Sequence, residues 1–234
     1  MNKKIKLFAD GAIIKEMVKF YKSGTVQGFT TNPTLMNRAG IKDYEGFAQE
    51  VLKKIPDLPI SFEVFSDEFD EMERQALKLA ALGDNVYVKI PITNTRAEPS
   101  YNLINKLTDK GVKLNVTAIM TTRQVVNLSD VLKSDVPSIV SVFAGRVADT
   151  GVDPIPIMQE SLAYLRGINK AELLWASPRE VLNVYQAEKI GCDIITATTP
   201  ILNKLKLFGK SLPEYSLDTV KMFYNDAKKA GFKL

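Results

Sequence analysis

The chain has 234 residues, 45% of them hydrophobic, with 31 lysines and arginines against 27 aspartates and glutamates, a net charge of +4, no histidine and one cysteine. That length suffices for one sizeable core. The single Cys192 excludes an intrachain disulfide and a cysteine-rich zinc site, and the missing histidine excludes Ser-His-Asp and Cys-His nucleophile systems and histidine-ligated metal centres.

Catalysis in such a chain must rest on carboxylates, lysine, hydroxyls or bound water. The positive balance is spread without a sustained basic tract, which argues against nucleic acid as the partner. A modest positive field would still draw an anionic substrate towards a cleft. No apolar run approaches the length of a membrane span, so no membrane partner is expected. The run 5–9 is too short for the core of a signal peptide. A cytoplasmic protein is the expectation.

In chain order, the apolar and β-branched runs fall at 5–9, 26–30, 60–65, 86–90, 113–119, 138–144, 172–176 and 193–197. Amphipathic stretches lie between them. The stretch 67–82 repeats Phe69, Met72, Ala76, Leu77 and Ala80 at helical spacing. The stretch 99–110 stops at Gly111. Ser177-Pro178-Arg179-Glu180 reads as a helix start, with serine as cap and proline in the first position. Eight strand-like runs, each followed by a helical stretch, predict an α/β protein: a closed parallel (β/α)8 barrel of the TIM type. We expect one domain over 1–234, with a ninth helical segment in the tail, 215–234. An open doubly wound sheet is disfavoured because the first turn reads Asp10-Gly11-Ala12 and carries no Gly-x-Gly-x-x-Gly.

In such a barrel the C-terminal strand ends converge on one mouth, where chemistry takes place. Polar residues at those ends are Asp10, Thr30, Thr31, Asn32, Glu63, Lys89, Asn115, Thr117, Ser141, Arg146 and Ser177. Lys89 interrupts Val86-Tyr87-Val88-Lys89-Ile90-Pro91, a run that should be buried on both faces. An ammonium there is costly unless paired or neutral, and a neutral amine can attack a carbonyl. The plainer reading is a lysine that reaches solvent or pairs with Glu63. An acid beside an amine is both an internal ion pair and what Schiff-base chemistry requires. Asp10 could simply cap the helix from Gly11, and Arg146 could be a surface residue or a bidentate phosphate ligand. Ser177 could cap a helix, bind a phosphate beside free backbone donors, or do both.

Phe8-Ala9-Asp10, Gly28-Phe29-Thr30-Thr31-Asn32-Pro33-Thr34, Val88-Lys89-Ile90-Pro91, Leu114-Asn115-Val116-Thr117-Ala118 and Phe143-Ala144-Gly145-Arg146 together resemble the transaldolase family, in its order and at the short spacing of its smaller members. The resemblance covers about 5–197. It implies that Lys89 forms a Schiff base with a ketose phosphate, that Asp10 moves the proton of the hydroxyl at the cleaved bond, and that Glu63 serves imine formation through a water held by Thr117. Asn32, Asn115 and Ser141 would bind sugar hydroxyls, and Arg146, Ser177 and Arg179 the phosphate. Neither a metal nor an organic cofactor is implied. The short members of the family also imply a homo-oligomer, commonly a decamer, with C-terminal helices exchanged between neighbours.

Two positions sort the chain within that resemblance. The fructose 6-phosphate aldolases carry glutamine in place of Glu63 and tyrosine in place of Phe143. A phenylalanine cannot donate a proton. Glu63 with Phe143 therefore favours transfer of a dihydroxyacetone unit to an aldose phosphate over release of free dihydroxyacetone. A non-catalytic sugar-phosphate binder is the reading from another class. Departures from the family pattern lie on the rim, in Ala176-Ser177-Pro178-Arg179-Glu180 and Thr196-Ala197-Thr198-Thr199-Pro200.

Overall fold

A computed structural model describes residues 5–233. The described residues up to Leu202 form one compact unit, and those from Asn203 a second, smaller one. In the first unit, β1 (Lys6–Asp10), β2 (Gly28–Thr30), β3 (Ile60–Glu63), β4 (Val86–Pro91), β5 (Leu114–Ile119), β6 (Ser138–Val142), β7 (Ala171–Trp175) and β8 (Ile194–Thr198) form a closed barrel. They pair in sequence order, all in parallel, and β8 closes on β1. Each strand falls inside or within one residue of its predicted run. The expected (β/α)8 barrel is the observed fold.

The helices follow as α1 (Ile14–Ser23), α2 (Pro33–Arg38), α3 (Tyr44–Lys54), α4 (Phe69–Ala80), α5 (Tyr101–Asp109), α6 (Thr122–Ser129), α7 (Ala144–Asp149), α8 (Pro154–Leu165), α9 (Leu182–Lys189), α10 (Thr199–Lys204) and α11 (Leu212–Ala230). Local chemistry explains several of their bounds. Helix α4 has Asp70 and Glu71 in its first turn and Lys78 in its last, each sign facing the helix dipole it complements. Its buried face is Met72, Ala76 and Leu79, whereas Leu77 points outward. Helix α6 begins with a full capping box between Thr121 and Gln124. Helix α5 stops where Gly111 takes a positive φ, at the residue expected to end it.

Two of the helices the sequence reading did not separate, α2 and α7, sit directly after strands at the mouth of the barrel. The predicted helix start at Ser177 is not one. Helix α9 begins five residues later at Leu182, and the Asn183 side chain accepts from the amides of Arg179 and Glu180. Ser177 instead adopts a φ of 57° in the loop after β7.

One layer of the barrel interior is apolar. Phe8, Ile139, Leu174, Ala176 and Ile194 pack together inside it, with Tyr87 and Phe143 against them. The Phe8 ring lies across Gly28 so closely that a Cβ there would fall 2.4 Å from its Cζ. Glycine is thus required opposite Phe8, its register partner. Lys6 and Glu172, two residues before Phe8 and Leu174 on the same strands, pair at 2.7 Å on one side of this layer, and Asp10, two residues after Phe8, lies on the other.

The second unit contains α11, which carries Leu212, Tyr215, Leu217, Val220, Met222, Phe223 and Tyr224, all exposed within the chain. Among the described residues no helix is long and apolar enough to cross a membrane.

Candidate active site

Strand side chains alternate between the barrel interior and the helical layer, so the inward set is fixed by period two once register is set. Register places Asp10 beside Thr30 and Thr198, Glu63 beside Lys89, Lys89 beside Asn115, and Pro91 beside Thr117. They open into a cavity of about 680 Å³ at the C-terminal strand ends. Asp10, Asn32, Glu63, Lys89, Asn115, Thr117, Ser141, Phe143, Arg146, Ser177 and Arg179 all line it, as does Thr30, whereas Thr31, also expected at the mouth, does not. Four cationic side chains, Arg38, Lys89, Arg146 and Arg179, face two acids, Asp10 and Glu63, along its wall. That balance suits an anionic ligand.

Lys89 is buried, at 5% exposure. Its Nζ lies 3.0 Å from Glu63 Oε2 and donates to the Thr31 carbonyl at 2.9 Å. The ion pair weighed in the sequence reading is therefore present, and it stands inside the cavity. The Glu63 backbone is held by Tyr44, whose hydroxyl donates to the Glu63 carbonyl at 2.7 Å and accepts from its amide at 2.8 Å. Burial raises the Tyr44 phenol above its ordinary pKa, so the hydroxyl keeps the proton it donates.

Asp10 ends β1 and does not cap a helix, since α1 starts at Ile14 without a side-chain cap. Its carboxylate accepts from Thr30 at 2.7 Å, and Thr30 in turn shares a hydrogen bond of 2.6 Å with Thr196. Burial raises the Asp10 carboxyl above its ordinary value, against the opposing pull of Lys89 and the Thr30 hydrogen bond. A more basic carboxylate is a better proton acceptor.

Ser141 donates to Asn115 Oδ1 at 2.6 Å, and Asn115 donates to Ser61 Oγ at 3.0 Å, a polar chain across β6, β5 and β3. Strand β5 carries one extra residue between Val116 and Ile119, where Ala118 takes a φ of 63°. Such a bulge re-aims the neighbouring side chain. Thr117 Oγ1 beside it is buried without a hydrogen-bond partner, and so is free to hold a ligand or a water. Asn32 spends its side-chain oxygen capping α2 at the Leu35 amide, 2.9 Å away, which leaves its NH2 as donor.

The far wall is built from α7 and the loop after β7. Gly145 donates to the Ala176 carbonyl at 3.2 Å, and a Cβ on Gly145 would lie 1.5 Å from the Ser177 oxygen. Only glycine permits that approach. Asp149 grips the Arg179 guanidinium through two bonds, that to Nε at 2.9 Å. Arg146 stands over the Phe143 ring at 5.6 Å. These contacts bring Arg146, Ser177 and Arg179 to one side of the cavity. The sole cysteine, Cys192, is buried and does not line the cavity, and burial pushes its thiol up to about 12.

Sequence reasoning did not single out Arg38 as lining the mouth or Tyr44 as the group behind Glu63, and it named Thr196 and Thr198 only within a rim turn, without a role. Thr196 and Thr198 alternate along β8, so inward periodicity would have found them. Tyr44 and Arg38 lie on helices and leave no such signal.

A (β/α)8 barrel that gathers a buried lysine and two carboxylates at its C-terminal mouth offers a concave, polar-lined cavity of the kind in which such barrels hold small ligands. The sequence model of the transaldolase/fructose-6-phosphate aldolase family matches residues 7–234, and the chain belongs to that family. It is 36% identical over 204 residues to a probable transaldolase of Thermoplasma volcanium, covering 86% of this chain and 87% of that protein. Probable transaldolases of Bdellovibrio bacteriovorus and of a Thermoanaerobacter species are each 32% identical, over 229 and 231 residues. Those two alignments cover 97% and 98% of this chain, and 99% and 100% of the relatives.

Proposed function

We propose that the protein is a transaldolase. It moves a dihydroxyacetone unit from sedoheptulose 7-phosphate or fructose 6-phosphate to erythrose 4-phosphate or glyceraldehyde 3-phosphate through a Schiff base on Lys89. The observation that carries this reading is the Lys89–Glu63 contact of 3.0 Å inside the same cavity that Asp10 enters.

Proton transfer from the Lys89 ammonium to Glu63 yields the free amine, which attacks the keto carbon of the donor. Glu63, through a water on Thr117, protonates the departing hydroxyl, and the carbinolamine loses water to give the iminium. Asp10 then takes the proton of the hydroxyl on the fourth carbon. The bond between the third and fourth carbons breaks, its electron pair moves into the iminium, and the aldose phosphate leaves. The enamine remaining on Lys89 attacks the aldehyde of the acceptor, Asp10 returns its proton to the new alkoxide, and water hydrolyses the imine with Glu63 as base. Asn32, Asn115 and Ser141 hold the sugar hydroxyls, while Arg146, Ser177 and Arg179 hold the phosphate.

The paired acid Glu63 and the phenyl ring of Phe143, which offers no proton to a releasing water, favour transfer over cleavage to free dihydroxyacetone. In this reading the protein serves the pentose phosphate interconversions in the cytoplasm, without cofactor, as a homo-oligomer associated through the exposed apolar face of α11.

Incubation with fructose 6-phosphate, borohydride reduction and peptide mapping test the proposal. A three-carbon adduct on Lys89 that disappears when erythrose 4-phosphate is added before reduction supports it. Turnover that ignores the acceptor would identify an aldolase. Absence of any adduct, with binding retained, would identify a sugar-phosphate binder.

A further inference from the structure

The contacts around Tyr44 follow from where β2 stops. Strands β2 and β3 pair in parallel, with Phe29 opposite Ile60 and Thr30 opposite Ser61. The Phe29 amide donates to the Pro59 carbonyl at 2.9 Å and the Thr31 amide to the Ser61 carbonyl at 3.0 Å. Continued by one step, a parallel ladder would send the Glu63 amide to the Thr31 carbonyl and a residue-33 amide to the Glu63 carbonyl. Neither rung exists. Residue 33 is proline, which has no N–H, and the Thr31 carbonyl accepts from Lys89 Nζ at 2.9 Å. The Tyr44 hydroxyl makes both replacements at once, accepting from the Glu63 amide at 2.8 Å and donating to the Glu63 carbonyl at 2.7 Å.

We infer that Tyr44 is a positioning residue for Lys89: by satisfying the Glu63 rung that β2 has abandoned, its hydroxyl keeps the Thr31 carbonyl for the lysine amine. Its consequence for catalysis rests on the Schiff-base reading above; its geometric part does not. Without the hydroxyl, the half-buried Glu63 amide loses its acceptor, and the Thr31 carbonyl is the one the ladder offers in its place. Lys89 would then lose one of its two anchors and keep only Glu63. The amine would no longer be held at one place for attack, and the backbone that carries the Glu63 carboxylate would shift with it.

Tyr44→Phe removes one oxygen and leaves the ring. Its crystal structure should place the Glu63 amide on the Thr31 carbonyl and Lys89 Nζ beyond hydrogen-bond reach of that carbonyl. With rapid borohydride quenching, the Lys89 adduct from fructose 6-phosphate should form about tenfold more slowly, the rate equivalent of one hydrogen bond, while KM stays within about twofold. Phe65→Leu is the control. It trims the ring packed on Tyr44, 5.4 Å away between centroids, and leaves the hydroxyl, so it should lower stability without slowing the adduct. Rates are taken at a temperature where near-ultraviolet circular dichroism shows both variants folded. Retention of the Lys89–Thr31 contact in Tyr44→Phe, an unchanged rate, or equal slowing in Phe65→Leu would overturn the inference. If the parental protein itself forms no adduct, the Schiff-base reading fails, and the crystal structure of Tyr44→Phe alone decides the role of Tyr44.

Discussion

Glu63 and Lys89 are register partners on adjacent parallel strands, and their Oε2 and Nζ atoms lie 3.0 Å apart in a largely buried position. Each charge is tolerated because the other is there. Removing one leaves the other unpaired at a cost of about 3 kcal/mol or more. Lys89→Met should therefore lower the melting temperature and abolish adduct formation, with activity falling at least about 10³-fold. The double variant Lys89→Met/Glu63→Gln should regain most of the stability and none of the activity. Calorimetry together with a coupled transfer assay checks both halves. A double variant as unstable as the single one would contradict the pairing argument.

Asp10 has a raised pKa, so it binds its proton more tightly in the folded chain than in the unfolded one. Below the ordinary value of 3.8 both states are protonated and no penalty arises. As pH rises through the elevated folded value, ionising the buried group costs stability, and above it the full penalty applies. Asp10→Asn should raise the melting temperature at neutral pH, by roughly 2–4 °C per kcal/mol of relief for a chain of this size. The gain should vanish towards pH 3.5. Melting curves of both chains between pH 3.5 and 8 measure it.

The same variant should interrupt the reaction at a defined point. On the proposed mechanism, Lys89 would still condense with the ketose, but no group would take the proton whose loss drives bond cleavage. Asp10→Asn should lower kcat by about 10²- to 10⁴-fold. Borohydride should trap the intact six-carbon sugar on Lys89 where the parental protein yields the three-carbon unit. Mass spectrometry of the reduced peptide distinguishes the two.

Arg146 stands over Phe143 at the wall that also holds Ser177 and Arg179. Arg146→Ala should raise KM for fructose 6-phosphate by about 10- to 100-fold, the worth of charge-assisted hydrogen bonds to a phosphate. Its effect on adduct formation from unphosphorylated dihydroxyacetone should be under about twofold. Comparing the two substrates isolates the phosphate contribution, and an equal loss on both would assign Arg146 a structural role.

Gly145→Ala places a methyl group where the Ser177 carbonyl already lies. The loop after β7 must move away from α7, at about 1–3 kcal/mol of overpacking. We expect a lower melting temperature and a KM for the phosphorylated donor raised several-fold, with the dihydroxyacetone adduct still forming on Lys89. Denaturant unfolding and steady-state kinetics provide the measurements.

The periodicities of the sequence determined the barrel. Eight β-branched runs separated by amphipathic stretches leave a parallel sheet two ways to bury both of its faces, doubly wound or closed, and the missing Gly-x-Gly-x-x-Gly after the first strand favoured closure. The motifs also carried the identities of the residues around the mouth, because an ionisable group such as Lys89 inside an apolar strand conflicts with its surroundings and is visible for that reason. Distances between strands are not written in any local pattern. Only the tertiary structure set Glu63 beside Lys89, tied Arg179 in the loop after β7 to Asp149 at the end of α7, and turned the predicted cap at Ser177 into a left-handed loop residue pressed against Gly145. Tyr44 is the clearest case. At the start of an amphipathic helix it reads as an ordinary aromatic. Its role arises because β2 ends one rung early, at a proline that cannot donate, and that vacancy exists only once the two strands have met.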